Sequence, residues 1–323
     1  MRYRLFGQTG LRVSELFLGT MVLDDVRECR RVVDAYADAG GNVLDTASAY
    51  GNGEELLGSV VERRDRFVLA TKYTLSRDAR DPNAAGNHRK NLVLSLERSL
   101  RRLRTDYVDV YWVHLWARHT PLEETMRALD DAVRAGKVLY VGISDAPAWV
   151  VARANTLAEW RGWTPFAGLQ VPYNLLRRDV ERELLPMAEA FGMTVAAWAP
   201  LASGVLAGGA RSRRVDPDTL TARDRAARQA VRTVADELGA TPAQVAIAWT
   251  RSRSAAAHPL IGASSVEQLT ENLGALDLVL PAEAVRRLEA AVEFELGFPG
   301  DFIAECEPSP FVFGDHATAV DGR

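Results

Sequence analysis

The sequence predicts an α/β fold in which eight parallel strands, each followed by a helix, close into a (β/α)8 TIM barrel. Two observations predict it. Short apolar runs alternate with segments of helical period from residue 15 to about residue 290, the signature of repeated βα units. The 323 residues, 47% of them hydrophobic, show no linker or low-complexity tract, so a single domain over residues 1–323 is expected.

The expected strands are Glu15–Gly19, Asn42–Asp45, Phe67–Lys72, Tyr107–His114, Leu139–Ser144, Gly168–Val171, Thr194–Ala199 and His258–Gly262. Between them, Asn91–Leu103 places Leu92, Leu96, Leu100 and Leu103 on one helical face, and Val26–Ala39 does the same with Cys29, Val33, Tyr36 and Ala37 before a Gly40-Gly41 stop. Thr241-Pro242 reads as a cap and first helical residue. Ahead of the barrel, Gln8-Thr9-Gly10 turns an N-terminal β-hairpin that closes the barrel's bottom. The segment Gly208–Arg228 reads as a surface insertion or loop. The tail after Gly297, with Phe298, Phe302, Phe311 and Phe313, is expected near the active face, covering part of it.

A net charge of −4 with a pI near 5.8 argues against nucleic acid or an anionic lipid surface as the main partner. Two cysteines, Cys29 and Cys306, are too few for a disulfide framework or a zinc cluster, and they read as buried or half-buried hydrophobes. The N-terminal segment lacks the apolar stretch of a secretory signal, and no run approaches eighteen apolar residues; a cytoplasmic protein is expected. His88, His119, His258 and His316 have no ligand spacing and read as solvated or capping residues, which argues against a metal-dependent hydrolase.

In a parallel barrel the strand ends build the active face. Here they carry Gly19-Thr20-Met21, Asp45, Lys72, His114, Ser144-Asp145, Gln170, Trp198 and Gly262-Ala263-Ser264. Asp45, Lys72 and His114 end apolar strands, where a charge must pair or face a cavity. Tyr50 follows Asp45 in a short loop over the same mouth. A phenol with a pKa near 10 is a poor acid at neutral pH. A lysine ammonium held by a carboxylate is expected to lower that pKa, and a histidine beside it to hydrogen-bond a carbonyl oxygen and stabilise charge growing there.

The chain resembles the aldo-keto reductases over essentially its full length. The resemblance rests on GNVLDTASAYGNGEELLG (Gly41–Gly58), VLATK (Val68–Lys72), SLRRLRTDYVDVYWVHLW (Ser99–Trp116), KVLYVGISD (Lys137–Asp145), LLPMAEAFGMTVAAWAPLASGVLAG (Leu184–Gly208), IGASSVEQLTENLGAL (Ile261–Leu276) and LGFPGDF (Leu296–Phe302). It implies a carbonyl reductase in which NADPH, or alternatively NADH, delivers hydride and Tyr50 the proton, within a tetrad of Asp45, Tyr50, Lys72 and His114. It also implies that the cofactor lies across the barrel's carboxyl face without a Rossmann domain, in keeping with the absence of G-x-G-x-x-G.

By the same resemblance Trp198 stacks on the nicotinamide, while Ser144, Asp145 and Gln170 hold its carboxamide beside Gly19, Thr20 and Met21. Pro200, Leu201, Ser203, Gly204 and Leu206 wrap the pyrophosphate. Gly262, Ala263, Ser264, Gln268, Glu271 and Asn272 take the adenosine end, where Ser264 and Ser265 offer donors to a 2′-phosphate. Met21, Tyr50, His114, Trp116 and the residues 117–121 border the pocket for an aldehyde, ketone or keto-sugar.

Two positions depart from the family pattern. Asp145 stands where many members carry asparagine, so it accepts from the carboxamide but cannot donate to it, and Ser144 must do more of the donating. The stretch Ala263–Gln268 holds no basic residue where NADP-preferring members often do, and Arg211, Arg213 or Arg214 is then the expected partner of a 2′-phosphate. The competing reading is a nucleotide-bound regulatory subunit of slow turnover, like a channel β-subunit; the intact tetrad favours the enzyme.

Overall fold

The computed structural model describes residues 1–207, 216–316 and 319. Arg211, Arg213 and Arg214 lie outside the described residues. Strands β1 (Tyr3–Leu5) and β2 (Arg12–Ser14) pair as an antiparallel hairpin. Then follow β3 (Phe17–Gly19), β4 (Val43–Asp45), β5 (Val68–Tyr73), β6 (Val108–Val113), β7 (Val138–Ser144), β8 (Phe166–Pro172), β9 (Thr194–Trp198) and β10 (Ala257–Gly262). These eight close into a parallel barrel in chain order, with β10 pairing both β9 and β3. All eight expected strands are present; Glu15 and Leu16 precede β3, and His114 lies one residue beyond β6.

The outer helices are α1 (Val26–Asp38), α2 (Gly53–Val60), α3 (Arg89–Leu103), α4 (Leu122–Arg134), α5 (Ala148–Arg161), α6 (Leu184–Ala190), α7 (Ala222–Leu238), α8 (Pro242–Ser252), α9 (Val266–Leu273) and α10 (Ala282–Ala290). Leu92, Leu96, Leu100 and Leu103 bury the expected face of α3, and Cys29, Val33, Tyr36 and Ala37 that of α1. Thr241 caps α8 through a reciprocal bond with Gln244, with Pro242 in the first turn. The expected loop Gly208–Arg228 is shorter than predicted. Thr221 and Asp224 form the same reciprocal cap, so α7 starts at Ala222 and buries Ala227. Among the described residues no helix is long and apolar enough to cross a membrane.

Inside the barrel, Phe17, Val43, Val68, Ala70, Val110, Trp112 and Ala196 form one apolar cluster with Phe6 and Val13 from the hairpin. The hairpin therefore closes the end where the strands begin, as Gly7 also shows by donating to Thr194 Oγ1 at the start of β9 (2.8 Å). Trp112 fills the floor because two neighbours lack side chains: a Cβ would lie 2.3 Å from its ring at Gly142 and 2.7 Å at Gly168. His258 is buried here rather than solvated or capping. Its Nδ1–H donates to the Ser14 carbonyl (3.0 Å), its ring lies 4.9 Å from that of Phe17, and burial pushes its pKa down to about 4.

After α10 the chain returns to the active-face side, where Arg182 of the loop after β8 donates to the Glu295 and Leu296 carbonyls. The tail forms α11 (Gly300–Cys306) and α12 (Pro310–Phe313). The expected cover is not built from its phenylalanines, since Phe298 and Phe311 are more than 80% exposed and Phe302 and Phe313 also face out. Helices of seven and four residues are too short to present a packed face.

Candidate active site

Side chains on a strand face one way every second residue. The inward row Val43 therefore continues to Asp45, Ala70 to Lys72, Trp112 to His114, Gly142 to Ser144, Gly168 to Gln170 and Ala196 to Trp198. Each of these lies within two residues of the carboxyl end of its strand. A local two-residue period thus brings together most of the expected site.

At the centre, Lys72 and Asp45 are buried and joined as an ion pair through Lys72 Nζ and Asp45 Oδ2. Lys72 Nζ also donates to the Thr46 carbonyl (2.8 Å), and Gln170 Nε2 donates to Asp45 Oδ1 (3.1 Å). The pair is thus closed by hydrogen bonds on both members, the condition under which a buried ion pair persists. The Lys72 ammonium stands 5.0 Å from the centroid of the Tyr50 ring. His114 meets that ring edge-on, with centroids 5.9 Å apart at 83°.

The electrostatics differ from the expectation in one respect. Burial pushes the Tyr50 phenol above its ordinary pKa of 10 and outweighs the opposing pull of Lys72. In this structure Tyr50 is a neutral phenol. His114 is neutral as well, its pKa pushed down to about 4 by burial and then by the Lys72 charge. Its Nδ1 is buried and meets no hydrogen-bond partner among the described residues.

Tyr50 sits on the turn between β4 and α2, donating its amide to Ala47 and accepting from Gly53. Arg102, on α3, holds this turn from outside. Its guanidinium donates to the Ser48 carbonyl (3.3 Å) and to that of Gly51, and it pairs with buried Glu54 at 3.2 Å. Glu54 in turn accepts from Thr71 on β5 (2.7 Å). Buried Asn87 similarly ties the loop after β6: it donates to Thr74 Oγ1 (2.8 Å) and the Leu115 carbonyl (3.0 Å) and accepts from Ala117 N (2.6 Å).

Trp116, in that loop, meets Trp149 edge-on with centroids 5.5 Å apart, and Met21 is exposed after β3. Thr20 is buried and bonds the Asp45 carbonyl, beside Gly19 at the end of β3. Around Trp198 the Ser144 hydroxyl and Gln170 Oε1 have no partner among the described residues, while Trp198 Nε1 donates to Asp145 Oδ1 (3.3 Å). Open polar groups beside a partly exposed indole suit a nicotinamide carboxamide. Beyond Trp198 the chain folds sharply, with positive φ at Ala199, Ala202, Ser203 and Gly204. The amides of Ala202, Gly204 and Leu206 close this turn on carbonyls of Ala199 and Leu201, Pro200 lies inside it, and the Leu206 side chain is buried.

At the adenosine end Ser264, one of the two expected donors, already has an acceptor, and the Ser265 hydroxyl accepts from Gln268 N. Ser264 N and Oγ both donate to Gln268 Oε1 (2.9 and 3.1 Å), and Val266 N donates to Glu28 (3.3 Å). Asn272 donates to the Gly262 carbonyl (3.2 Å), Ala263 is buried and Glu271 is half-buried. A 2′-phosphate there must displace Gln268 beside the like charge of Glu28, so this helix start favours it less than the sequence implies.

The chain matches the aldo/keto reductase family model over residues 15–293. It belongs to the aldo/keto reductase family. It is 36% identical to norsolorinic acid reductase of Aspergillus flavus, with 93% of this chain and 83% of that protein covered. It is 39% identical to norsolorinic acid reductase stcV of Emericella nidulans (92% and 82%) and 36% identical to an aryl-alcohol dehydrogenase of Pestalotiopsis microspora (94% and 85%). This aldo/keto reductase is therefore an oxidoreductase of carbonyl and alcohol groups that uses a nicotinamide cofactor.

Sequence reasoning missed four residues of this aldo/keto reductase. Trp149, Arg177, Arg102 and Asn87 lie off the strand ends. Trp149 had a signal, standing five residues after Ser144 in the first turn of α5, next to the active face. Arg177 lines a cavity of about 400 Å³ with Asn174, Trp198, Ser203 and Arg223, and the run Asn174–Arg178 directly after β8 marks it. Arg102 and Asn87 act across the fold and have no local signature.

Proposed function

We propose that this aldo/keto reductase interconverts aryl carbonyl compounds and their alcohols, with Tyr50 as proton donor and acceptor. A bound nicotinamide supplies or takes up the hydride. The observation that carries the reading is the buried Lys72–Asp45 pair set beneath the Tyr50 ring, with a neutral His114 at its edge. As a neutral phenol Tyr50 holds the proton that a nascent alkoxide needs, and the fixed ammonium of Lys72 stabilises the phenolate left behind. His114, uncharged, orients the carbonyl oxygen without competing as an acid.

Trp198 supplies the stacking face, with Ser144 and Gln170 Oε1 beside it for the carboxamide. The edge-to-face pair of Trp116 and Trp149 offers an aromatic wall, with Met21 exposed after β3, that fits the aryl group in the name of the aryl-alcohol dehydrogenase relative. NADPH is the proposed cofactor, its 2′-phosphate assigned to the arginines of residues 211–214; with Gln268 and Glu28 on the α9 amides, NADH is the alternative.

The test follows absorbance of NADPH and NADH with purified protein and a panel of aryl aldehydes, aryl ketones, alkyl ketones and keto-sugars. Aryl carbonyls are expected to show the highest kcat/KM; turnover of keto-sugars alone would sink the substrate reading. Tyr50→Phe is expected to lower kcat by about 10²- to 10⁴-fold with cofactor affinity retained. Unchanged turnover would remove Tyr50 from the mechanism.

A further inference from the structure

Asp145 holds an unusual place at the end of β7. Its backbone is left-handed (φ 46°), a conformation that aspartate and asparagine adopt more readily than most residues. In that conformation its carboxylate meets the edge of the Trp198 indole, with Oδ1 accepting from Nε1 at 3.3 Å. Among the described residues Asp145 makes no ion pair: the nearby Lys72 ammonium is taken by Asp45 and the Thr46 carbonyl. Burial raises the Asp145 pKa above its ordinary value, against the opposing pull of the Trp198 Nε1–H, Lys72 and Arg177, and Arg177 is exposed and screened by water. The carboxylate at the indole edge therefore has the Trp198 N–H as a neutral partner and, among the described residues, no cation in contact.

We propose that the Asp145 carboxylate makes the site discriminate between the redox states of its cofactor, strengthening binding of the oxidised, cationic nicotinamide relative to the reduced, neutral ring. The inference rests on the reading that the nicotinamide stacks on Trp198. A ring held on that indole would lie beside the carboxylate that Trp198 Nε1 contacts at 3.3 Å and would shield it from solvent. Attraction between unit charges at such a separation corresponds to roughly tenfold in binding once partial screening is allowed for. An asparagine offers the indole the same acceptor without the charge.

The consequence concerns direction on the enzyme. With a nicotinamide held on Trp198, hydride transfer to a carbonyl carbon, with the proton from Tyr50, would leave the oxidised, cationic ring beside Asp145. The carboxylate favours this transfer and slows departure of the oxidised cofactor.

The experiment is calorimetric titration of NADP⁺ and NADPH, and of NAD⁺ and NADH, into the wild-type protein, Asp145→Asn and Asp145→Glu. In Asp145→Asn the affinity for the oxidised form is expected to fall about tenfold relative to the reduced form, while Asp145→Glu keeps the wild-type ratio. An unchanged ratio in Asp145→Asn, or an equal change in both variants, overturns the proposal. If neither cofactor pair binds the wild-type protein, it is the nicotinamide reading that fails instead.

Discussion

Lys72 shows how strongly one residue's surroundings govern its chemistry. A single lysine after a strand is most often solvated, yet Lys72 is wholly buried and its charge is answered by Asp45, Thr46 and the face of Tyr50. Removing one member of such a pair leaves the other charge stranded. Lys72→Met is therefore expected to cost about 3–5 kcal/mol in urea unfolding, whereas Asp45→Asn combined with Lys72→Met recovers much of that loss. Equal stability of Lys72→Met and wild type would contradict the pairing. The identity of the four central residues was legible in the sequence. The balance at Tyr50 was not, because burial and the Lys72 charge push its pKa in opposite directions and only the packed site decides which wins.

The turn that carries Tyr50 is held by side chains from α3 through Arg102 and from β5 through Glu54. Arg102→Ala is expected to lower kcat by about tenfold or more by misplacing the phenol, with a smaller change in KM and in cofactor affinity. Stopped-flow and steady-state kinetics separate these terms, and a loss confined to KM would remove Arg102 from the positioning of Tyr50. Strand boundaries were read to within a few residues because apolar runs and the two-residue period are local. The first turns of α7 were read as loop because their Arg, Asp and small residues resemble a surface insertion; the reciprocal cap of Thr221 and Asp224 makes them helical.

Across the barrel, two histidines at opposite ends are held neutral by burial: His114 on the active face and His258 near the hairpin, each with a pKa near 4. The unfolded chain binds protons at these groups from about pH 6.5 downward, whereas the folded protein does so only near pH 4. Stability is thus intact above pH 6.5 and falls as pH drops from 6.5 towards 4. For deeply buried His258 the slope approaches about 1.4 kcal/mol per pH unit. Thermal melts across pH 8 to 4.5 check this, and a Tm flat between pH 6.5 and 5 would show that neither group is held neutral.

The sequence alone determined the barrel, its order of strands and the four ionisable groups at its mouth, because these follow from spacing along the chain. Tertiary structure decided which of those groups are charged and which donors are still open. Gln170 reaches Asp45 from 125 residues away, and Val266 reaches Glu28 from 238. Such contacts depend on where the closed barrel places distant side chains, and the free energy of each charge depends on how much water that closure leaves around it.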